Sequence, residues 1–181
     1  MTGSFFEELS IEIKKSVIER GHPFRFITMA TTGNESIARL RTVVLREVTE
    51  NLRLTIYTDG RTQKINHIHV NNQVSLLLYH PDKMMQLKVE GTAEIVTNTE
   101  RLKSTWQNIQ PNSRKDYITE TSPGTAIKNP DHVEYVEDKN HFTIIDIFPT
   151  KIEYLKLKRP NHIRALFSKT DDIWKGEFLV P

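Results

Sequence analysis

The chain of 181 residues contains no cysteine. This excludes disulfide bonds, cysteine-based zinc sites, iron–sulfur clusters and a thiol nucleophile. Its seven glycines are dispersed along the chain, with no two close together in sequence. A dinucleotide-binding fingerprint and a phosphate-binding P-loop both need clustered glycines. Any nucleotide bound by this chain must therefore be held in another way.

Two further features are missing, a long apolar run and a strong excess of charge of one sign. No apolar run is long enough to cross a bilayer, and the first residues lack the core of a signal peptide, so we expect a cytoplasmic protein that does not enter the membrane. Lys and Arg number 25 against 23 Asp and Glu, which gives a formal net charge of +2. This near balance argues against nucleic acid as a dedicated partner.

Hydrophobic periodicity predicts a mainly β protein with flanking helices. A capping-box pattern and apolar residues three and four apart predict a helix over 4–20. The run 52–58 alternates like a half-buried strand, and the apolar run 74–79 is typical of a strand covered on both faces. Further helices are predicted over 62–70 and 99–109, and further strands over 24–32, 37–48, 85–96, 142–148, 152–157, 162–167 and 174–180.

Short strands joined by short turns predict a closed antiparallel barrel with helices at its ends. We expect one domain over 1–181. The segment of about 99–140 is expected to be a polar insert made of helix and loop.

The segment 57–64 contains the strongest sign of chemistry. A strand ends at Tyr57 and Thr58, a turn follows, and a helix begins near Thr62. Helix N-termini present free N–H groups that favour anions, and the Thr62 hydroxyl can cap the helix or meet an anion. Arg61 and Lys64 add two cations, so the segment predicts a phosphate site without glycines. The alternative is an ordinary capped helix with solvated Arg and Lys side chains.

Arginines on the strand 37–48 offer a second set of anion ligands. Arg39 and Arg41 share a strand face with Val43 and Leu45. Two arginines that lead into an apolar stretch can hold a phosphate in a bidentate manner. They can equally be edge charges that oppose aggregation.

Three other polar side chains are candidates for ligand contacts. Gln86 lies on the polar face of its predicted strand, and its amide could meet the edge of a flavin or a base, unless it is simply exposed to solvent. His162 and Arg164 lie together on a late strand and could touch a ligand. No nucleophile elbow, metal-ligand spacing or pair of catalytic acids stands out, so a bound cofactor would supply any difficult chemistry.

Taken in order, these segments resemble the pyridoxamine 5'-phosphate oxidase family, the FMN-binding split barrels. The likeness runs without gaps through RTVVLR, YTDGRTQK and NNQVSLLLYHPDKMMQLKVEGTAE, which together lie within 41–94. It continues more loosely through HIR at 162–164 and WKGEFLVP at 174–181.

The resemblance implies a split barrel, FMN as cofactor and a homodimer with FMN at the subunit interface. Arg41, Thr62 and Lys64 would hold the phosphate, with Arg61 nearby. Gln86 and Arg164 would come from the second subunit. The remaining cofactor contacts, along the flavin and ribityl chain, would be Thr42, Val43, Val44, Tyr57 and Thr58.

The substrate half of the family pattern is mostly absent. Arg46 stands where the oxidases have a lysine for the substrate phosphate, and Arg46 and His162 are the substrate candidates that remain. Pro160 and Phe178 stand where the oxidases have arginines. The tyrosine, arginine and serine of the later helix are replaced, at roughly the same places, by Trp106, Gln110 and Arg114.

The function implied is flavin-mediated hydride transfer on an unidentified small molecule. One alternative is the oxidase reaction itself, on pyridoxamine or pyridoxine 5'-phosphate. Another is a non-catalytic protein that binds flavin, deazaflavin or haem. No metal site is expected.

Overall fold

Six antiparallel strands close into a barrel in the computed structural model, which describes residues 2–181. In hydrogen-bonded order they are β3, β2, β1, β4, β5 and β6, and β6 returns to pair with β3. Their bounds are β1 (Phe26–Thr32), β2 (Ala38–Val48), β3 (Leu54–Asp59), β4 (Gln73–His80), β5 (Met85–Ile95) and β6 (Phe142–Lys156).

Two further strands extend the sheet beyond the barrel, and four α-helices flank it. The strands β7 (Ile163–Thr170) and β8 (Ile173–Leu179) follow β6. The helices are α1 (Gly3–Ile18), α2 (Gln63–Val70), α3 (Thr99–Asn108) and α4 (Pro111–Arg114). The predicted fold class, a mainly β antiparallel barrel with flanking helices, is confirmed.

Strand β6 corrects the prediction of two separate strands over 142–148 and 152–157. Its first half pairs with β3 and its second half with β7, while both halves pair with β5. The pairing with β5 shifts register at Gly91, where an added Cβ would lie 2.2 Å from the Phe148 carbonyl oxygen. Pro149 lacks an N–H donor and follows at this irregularity, where a strand tolerates proline. The two runs are therefore one bent strand.

The core fills the barrel, and a second, smaller cluster lies beside it. Leu9 and Ile13 of α1 join the buried side chains of the barrel strands. Outside the barrel, Tyr117, Phe142 and Ile144 are buried together with partly buried residues of α3. This second cluster explains why β3 is buried on both faces, whereas its alternation predicted a half-buried strand.

Strand β4 also differs from its prediction. It was expected to be covered on both faces, yet Leu77 and Tyr79 are 41% and 48% exposed in the chain by itself. Their neighbours Leu76 and Leu78 are buried in the barrel. One face of β4 therefore has no cover within residues 2–181.

No helix in the described part of the chain combines the length and apolarity needed to span a membrane.

Candidate cofactor site

The turn between β3 and α2 brings Lys64 back toward the end of β3. The Lys64 ammonium donates hydrogen bonds to Thr58 Oγ1 at 2.8 Å and to Thr62 Oγ1 at 3.1 Å. Thr62 occupies the N-cap position of α2, but its hydroxyl donates to the Asp59 carbonyl oxygen at 2.8 Å. The expected side-chain cap is therefore not formed, because the Thr62 hydroxyl closes the turn instead.

Arg41 lies on β2 and is held by the neighbouring strand β1. Its guanidinium donates to Thr31 Oγ1 at 2.7 Å and to the Met29 carbonyl oxygen at 3.3 Å. Thr31 Oγ1 is in turn 3.0 Å from Nδ1 of His67, which lies on α2. Thr31 and His67 were not found from the sequence, because their contacts arise from the pairing of β1 with β2 and from the packing of α2.

Arg41 and Lys64 form a half-buried pair of cations. Burial first, and then the positive charge of Arg41, lowers the pKa of Lys64 to about 8, while the Asp59 carboxylate acts in the opposite direction with a smaller effect. Burial also lowers the pKa of Arg41. Within residues 2–181 their hydrogen-bond partners are hydroxyls and a carbonyl, and neither side chain has a carboxylate partner. An anion bound here would relieve the cost of these charges.

The structure gives Arg61 different partners. Its guanidinium bonds to both carboxylate oxygens of Asp59, at 2.8 Å and 3.1 Å, and donates to the carbonyl oxygens of Thr119 and Glu120. The hydrogen bond to Asp59 raises the pKa of Arg61. Arg61 therefore anchors the loop around 119–120 to the turn, rather than joining Arg41 and Lys64.

Three other predicted cofactor residues lie on the outer face of the barrel. Val43 is buried in the interior, so its neighbours Thr42 and Val44 have the opposite orientation. Gln86 lies between the buried Met85 and Leu87 and is paired with the exposed Tyr79. No contact joins Gln86 to Arg41 or Lys64 within the part of the chain that the structure describes.

Arg164 and His162 lie at β7, outside the closed ring of strands. Arg164 pairs with Glu153 of β6 at 2.9 Å. His162 is exposed, and its Nδ1 accepts a hydrogen bond from the Lys158 backbone. Neither side chain contacts Arg41 or Lys64 in residues 2–181.

A cleft of about 370 Å³ opens on the other side of β3, beside Tyr57. Arg46 and Glu47 of β2 and Tyr57 of β3 form one wall. The Tyr57 hydroxyl donates to Glu47 Oε1 at 3.1 Å, and burial followed by the Glu47 charge raises the pKa of Tyr57 to about 12. The opposite wall contains Ser104, Thr105, Asn108, Ile109, Gln110, Ser113 and Tyr117.

The three residues expected to replace the family's substrate ligands differ in their position relative to this cleft. Gln110 lines the cleft. Trp106 packs on Tyr117 and Phe142 in the second cluster. Arg114 stacks 5.2 Å from the Trp106 ring and donates to carbonyl oxygens of its own segment. The sequence could not place this wall, because its position depends on how 104–117 packs against β3 and β6.

Comparisons with known proteins identify the family to which the chain belongs. The family described as "Pyridoxamine 5'-phosphate oxidase, FMN-binding domain" matches residues 4–97. A pyridoxine/pyridoxamine 5'-phosphate oxidase of Psychrobacter sp. (strain PRwf-1) is 32% identical over 176 residues, covering 86% of this chain and 79% of that protein. The pyridoxine/pyridoxamine 5'-phosphate oxidase 2 of Arabidopsis thaliana is 26% identical over 175 residues, covering 86% and 87% of the two chains.

A solved structure shows the same fold. It is a pyridoxamine 5'-phosphate oxidase-related, FMN-binding protein of Nostoc punctiforme PCC 73102. It superposes with a TM-score of 0.79 at 20% identity, covering 97% of this chain and 96% of that one. The resemblance inferred from the motifs is therefore confirmed, and the chain belongs to the pyridoxamine 5'-phosphate oxidase FMN-binding domain family.

Proposed function

We propose that this protein binds FMN and acts as an FMN-dependent oxidoreductase on a small organic molecule. One observation supports this most directly. Arg41 and Lys64 are two half-buried cations, held beside the hydroxyls of Thr58 and Thr62, without a carboxylate partner in residues 2–181. A phosphate monoester supplies the missing negative charge and accepts hydrogen bonds from the Arg41 guanidinium and the Lys64 ammonium.

Other residues could contact the flavin ring of FMN. Thr42 and Val44 of β2 and Gln86 of β5 face outward, and Tyr57 adjoins Thr58 on β3. In this proposal Gln86 meets a flavin edge, because its amide can both donate and accept. FMN would supply the hydride-transfer chemistry that protein side chains lack. The chain's own residues would hold the phosphate and orient the ring.

The proposal includes a homodimer. The outer side of the adjacent strands β2, β1 and β4 has four large apolar side chains, which together we call the outer apolar face. They are Leu40, Phe26, Leu77 and Tyr79, which are 68%, 65%, 41% and 48% exposed, respectively. A contiguous exposed apolar surface marks an interaction site. Gln86 lies at its edge, paired with Tyr79, so a second copy docked there would place Gln86 against that copy's cofactor.

The oligomeric state tests the dimer separately from the cofactor. Light scattering after gel filtration should give twice the chain mass of 21.1 kDa. Leu77→Glu should give monomers that have lost most of their FMN affinity. A monomeric wild-type protein that binds FMN fully would contradict the interface proposal while leaving the phosphate site in place.

Cofactor loading tests the main proposal. The purified protein is incubated with FMN, the excess is removed, and the visible absorption is recorded. We expect about one FMN retained per subunit. The flavin bands should bleach with a reduced nicotinamide under nitrogen and return in air. A colourless protein would contradict FMN binding, and a coloured protein that no reductant bleaches would favour a non-catalytic carrier.

The second candidate function is the oxidation of pyridoxine or pyridoxamine 5'-phosphate, for which the relatives are named. This reaction requires the cleft beside Tyr57 to hold a phosphate monoester, with Arg46 as the one cation among the described residues of its wall. Oxygen uptake by the FMN-loaded protein with pyridoxamine 5'-phosphate decides it. Turnover no faster than the buffer control would exclude this reaction.

A further inference from the structure

The charge of the cleft beside Tyr57 restricts what can bind there. Among residues 2–181, Arg46 is the one cation that lines it, and Glu47 on the same wall is anionic. Glu47 accepts the Tyr57 hydroxyl hydrogen and lies 3.5 Å from Arg101 Nη2. The volume of about 370 Å³ lies within the range of small-molecule sites.

Arg46 has no carboxylate partner within residues 2–181, and the Tyr117 hydroxyl beside its guanidinium is neutral. The Arg46 Nε is buried without a hydrogen-bond partner among the described residues. Its guanidinium carbon lies 5.6 Å from the Tyr57 ring centroid, so the ring supplies only a cation–π contact. A buried, unpaired donor of this kind is expected to be satisfied by a bound anion or an ordered water.

The other cations near this side of the barrel are already engaged. Arg101 binds Asp146 through two hydrogen bonds and also faces Glu47. Arg114 is bonded to carbonyl oxygens of residues 107 and 109 and stacked on Trp106. The helical wall contributes hydroxyls and amides instead of charges. Within the part of the chain that the structure describes, Arg46 is therefore the one cation of this cleft that is available to a ligand.

A phosphate monoester is poorly matched to this wall. It has a charge between −1.5 and −2 at neutral pH, roughly, and requires several cations or many donors. The Glu47 carboxylate would repel it. A carboxylate has one negative charge and matches a single guanidinium in a bidentate manner. The amides and hydroxyls opposite can bind neutral polar groups of the same ligand.

We propose that the cleft binds a small organic monoanion of the carboxylate type, not a phosphate monoester, with Arg46 as its anion ligand. This rests on the proposed function, because it names the substrate class for that FMN enzyme. Glu47 acts as the residue that excludes doubly charged ligands. Gln110 and the other helical-wall residues contact the uncharged part of the substrate.

The test uses three probes of nearly equal size, which are benzoate, phenyl phosphate and benzamide. Binding to the FMN-loaded protein is measured at neutral pH by isothermal titration and by perturbation of the flavin absorption. We expect benzoate to bind about ten-fold more tightly than either other probe, since a charged hydrogen bond has about that effect. Arg46→Gln should lower benzoate affinity by about ten-fold.

Two variants sharpen the test. Glu47→Gln should strengthen phenyl phosphate binding by about five-fold or more and change benzamide binding little. Arg39→Gln is the matched control, because Arg39 is exposed and pairs with Glu35. It should leave all three affinities unchanged.

Each outcome is decisive. Phenyl phosphate binding at least as tightly as benzoate overturns the proposal, and so does the absence of benzoate binding to FMN-loaded protein. Equal benzoate affinity in wild type and Arg46→Gln also overturns it. The same titrations on FMN-free protein separate the two proposals. Arg46-dependent benzoate binding by a chain that rejects FMN would overturn the FMN function and keep the carboxylate assignment.

Discussion

Two polar clusters of this barrel, one half-buried and one buried, differ in charge balance. In the first, Arg41 and Lys64 have only neutral partners in residues 2–181. In the second, the buried Glu12 carboxylate of α1 lies 2.5 Å from Lys83 Nζ and 3.3 Å from His22 Nε2, with His80 Nε2 at 3.8 Å. This difference in charge balance, more than residue type, is the reason for proposing a ligand site at the first cluster and a structural contact at the second.

The Glu12 cluster has the residue types of a metal site. The ligand atoms of Glu12, His22 and His80 lie within 4.8 Å of one another, and two histidines with a carboxylate are a familiar zinc set. However, Nδ1 of His22 accepts the Phe24 N–H and Nδ1 of His80 accepts the Lys83 N–H. A neutral ring with an accepting Nδ1 has its proton on Nε2, which here faces Glu12. A metal ligand needs the reverse arrangement.

The largest effect is expected at the cluster of Arg41 and Lys64, which lacks a compensating negative charge. Arg41→Ala combined with Lys64→Ala should weaken FMN binding about 1,000-fold or more, because two charged phosphate contacts are lost. The unfolding midpoint should not fall, since two uncompensated charges are removed. Arg39→Ala, on the same strand, is the control that should keep wild-type affinity. Titration calorimetry measures the change, and a double variant within ten-fold of wild type would refute the assignment.

Removing Glu12 should affect stability instead. Glu12→Ala should lower the free energy of unfolding by about 2–4 kcal/mol, because buried donors lose their acceptor. Urea unfolding measures this, with the exposed Glu7→Ala on the same helix as control. FMN affinity of the folded variant should change less than two-fold. A large loss of FMN affinity without a loss of stability would contradict the comparison.

The pH dependence of folding at Glu12 has a defined sign. Burial alone would raise the pKa of Glu12, but hydrogen bonds from Lys83 and His22 outweigh it, so the folded pKa lies below 4.5. Its contribution to stability is therefore complete above pH 4.5 and is lost as pH falls through the lower, folded value.

The pH dependence of FMN binding should follow Lys64. Its pKa is lowered to about 8 without ligand, and a bound phosphate favours the ammonium and raises this pKa. FMN affinity should be constant between about pH 7, where the phosphate is mostly dianionic, and pH 8, and fall by up to about ten-fold per pH unit above pH 8. Lys64→Met should remove the dependence. Titrations across this range check it, and a wild-type profile that stays flat would exclude Lys64 as a phosphate ligand.

The smallest effect is expected from zinc. Added zinc should leave the melting temperature within about 1 °C of the metal-free value. A ligand raises this temperature only by binding the folded state, and we expect no zinc to bind there. Differential scanning calorimetry provides the measurement. A rise that depends on zinc concentration and disappears in His80→Gln would show that the Glu12 cluster does bind metal.

The turn between β3 and α2 was predictable from the sequence, whereas two of the strands around it were not. Thr58, Thr62 and Lys64 lie within seven residues, so the turn that joins them is a local feature and was predictable. The single bent strand β6 was not, because it depends on the close approach of Gly91 to Phe148 across the sheet. The apolar sequence of β4 predicted a strand covered on both faces, although its outer face is exposed in the chain alone.

Contacts between distant segments account for the rest. Thr31 reaches Arg41 through strand register, and His67 reaches Thr31 through helix packing. Arg61 was predicted near the phosphate from its neighbours in sequence, but Asp59 two residues earlier is its partner. Glu47 was missed because its role depends on a cleft whose second wall lies about 60 residues away.

The most direct test of the central claim compares FMN with riboflavin, which lacks only the phosphate. Calorimetric titration of the purified protein should give FMN an affinity about 100-fold or more above that of riboflavin, since the phosphate would satisfy Arg41 and Lys64. This advantage should vanish in the double alanine variant. Equal affinities for FMN and riboflavin in the wild-type protein would contradict the claim that these two cations bind the FMN phosphate.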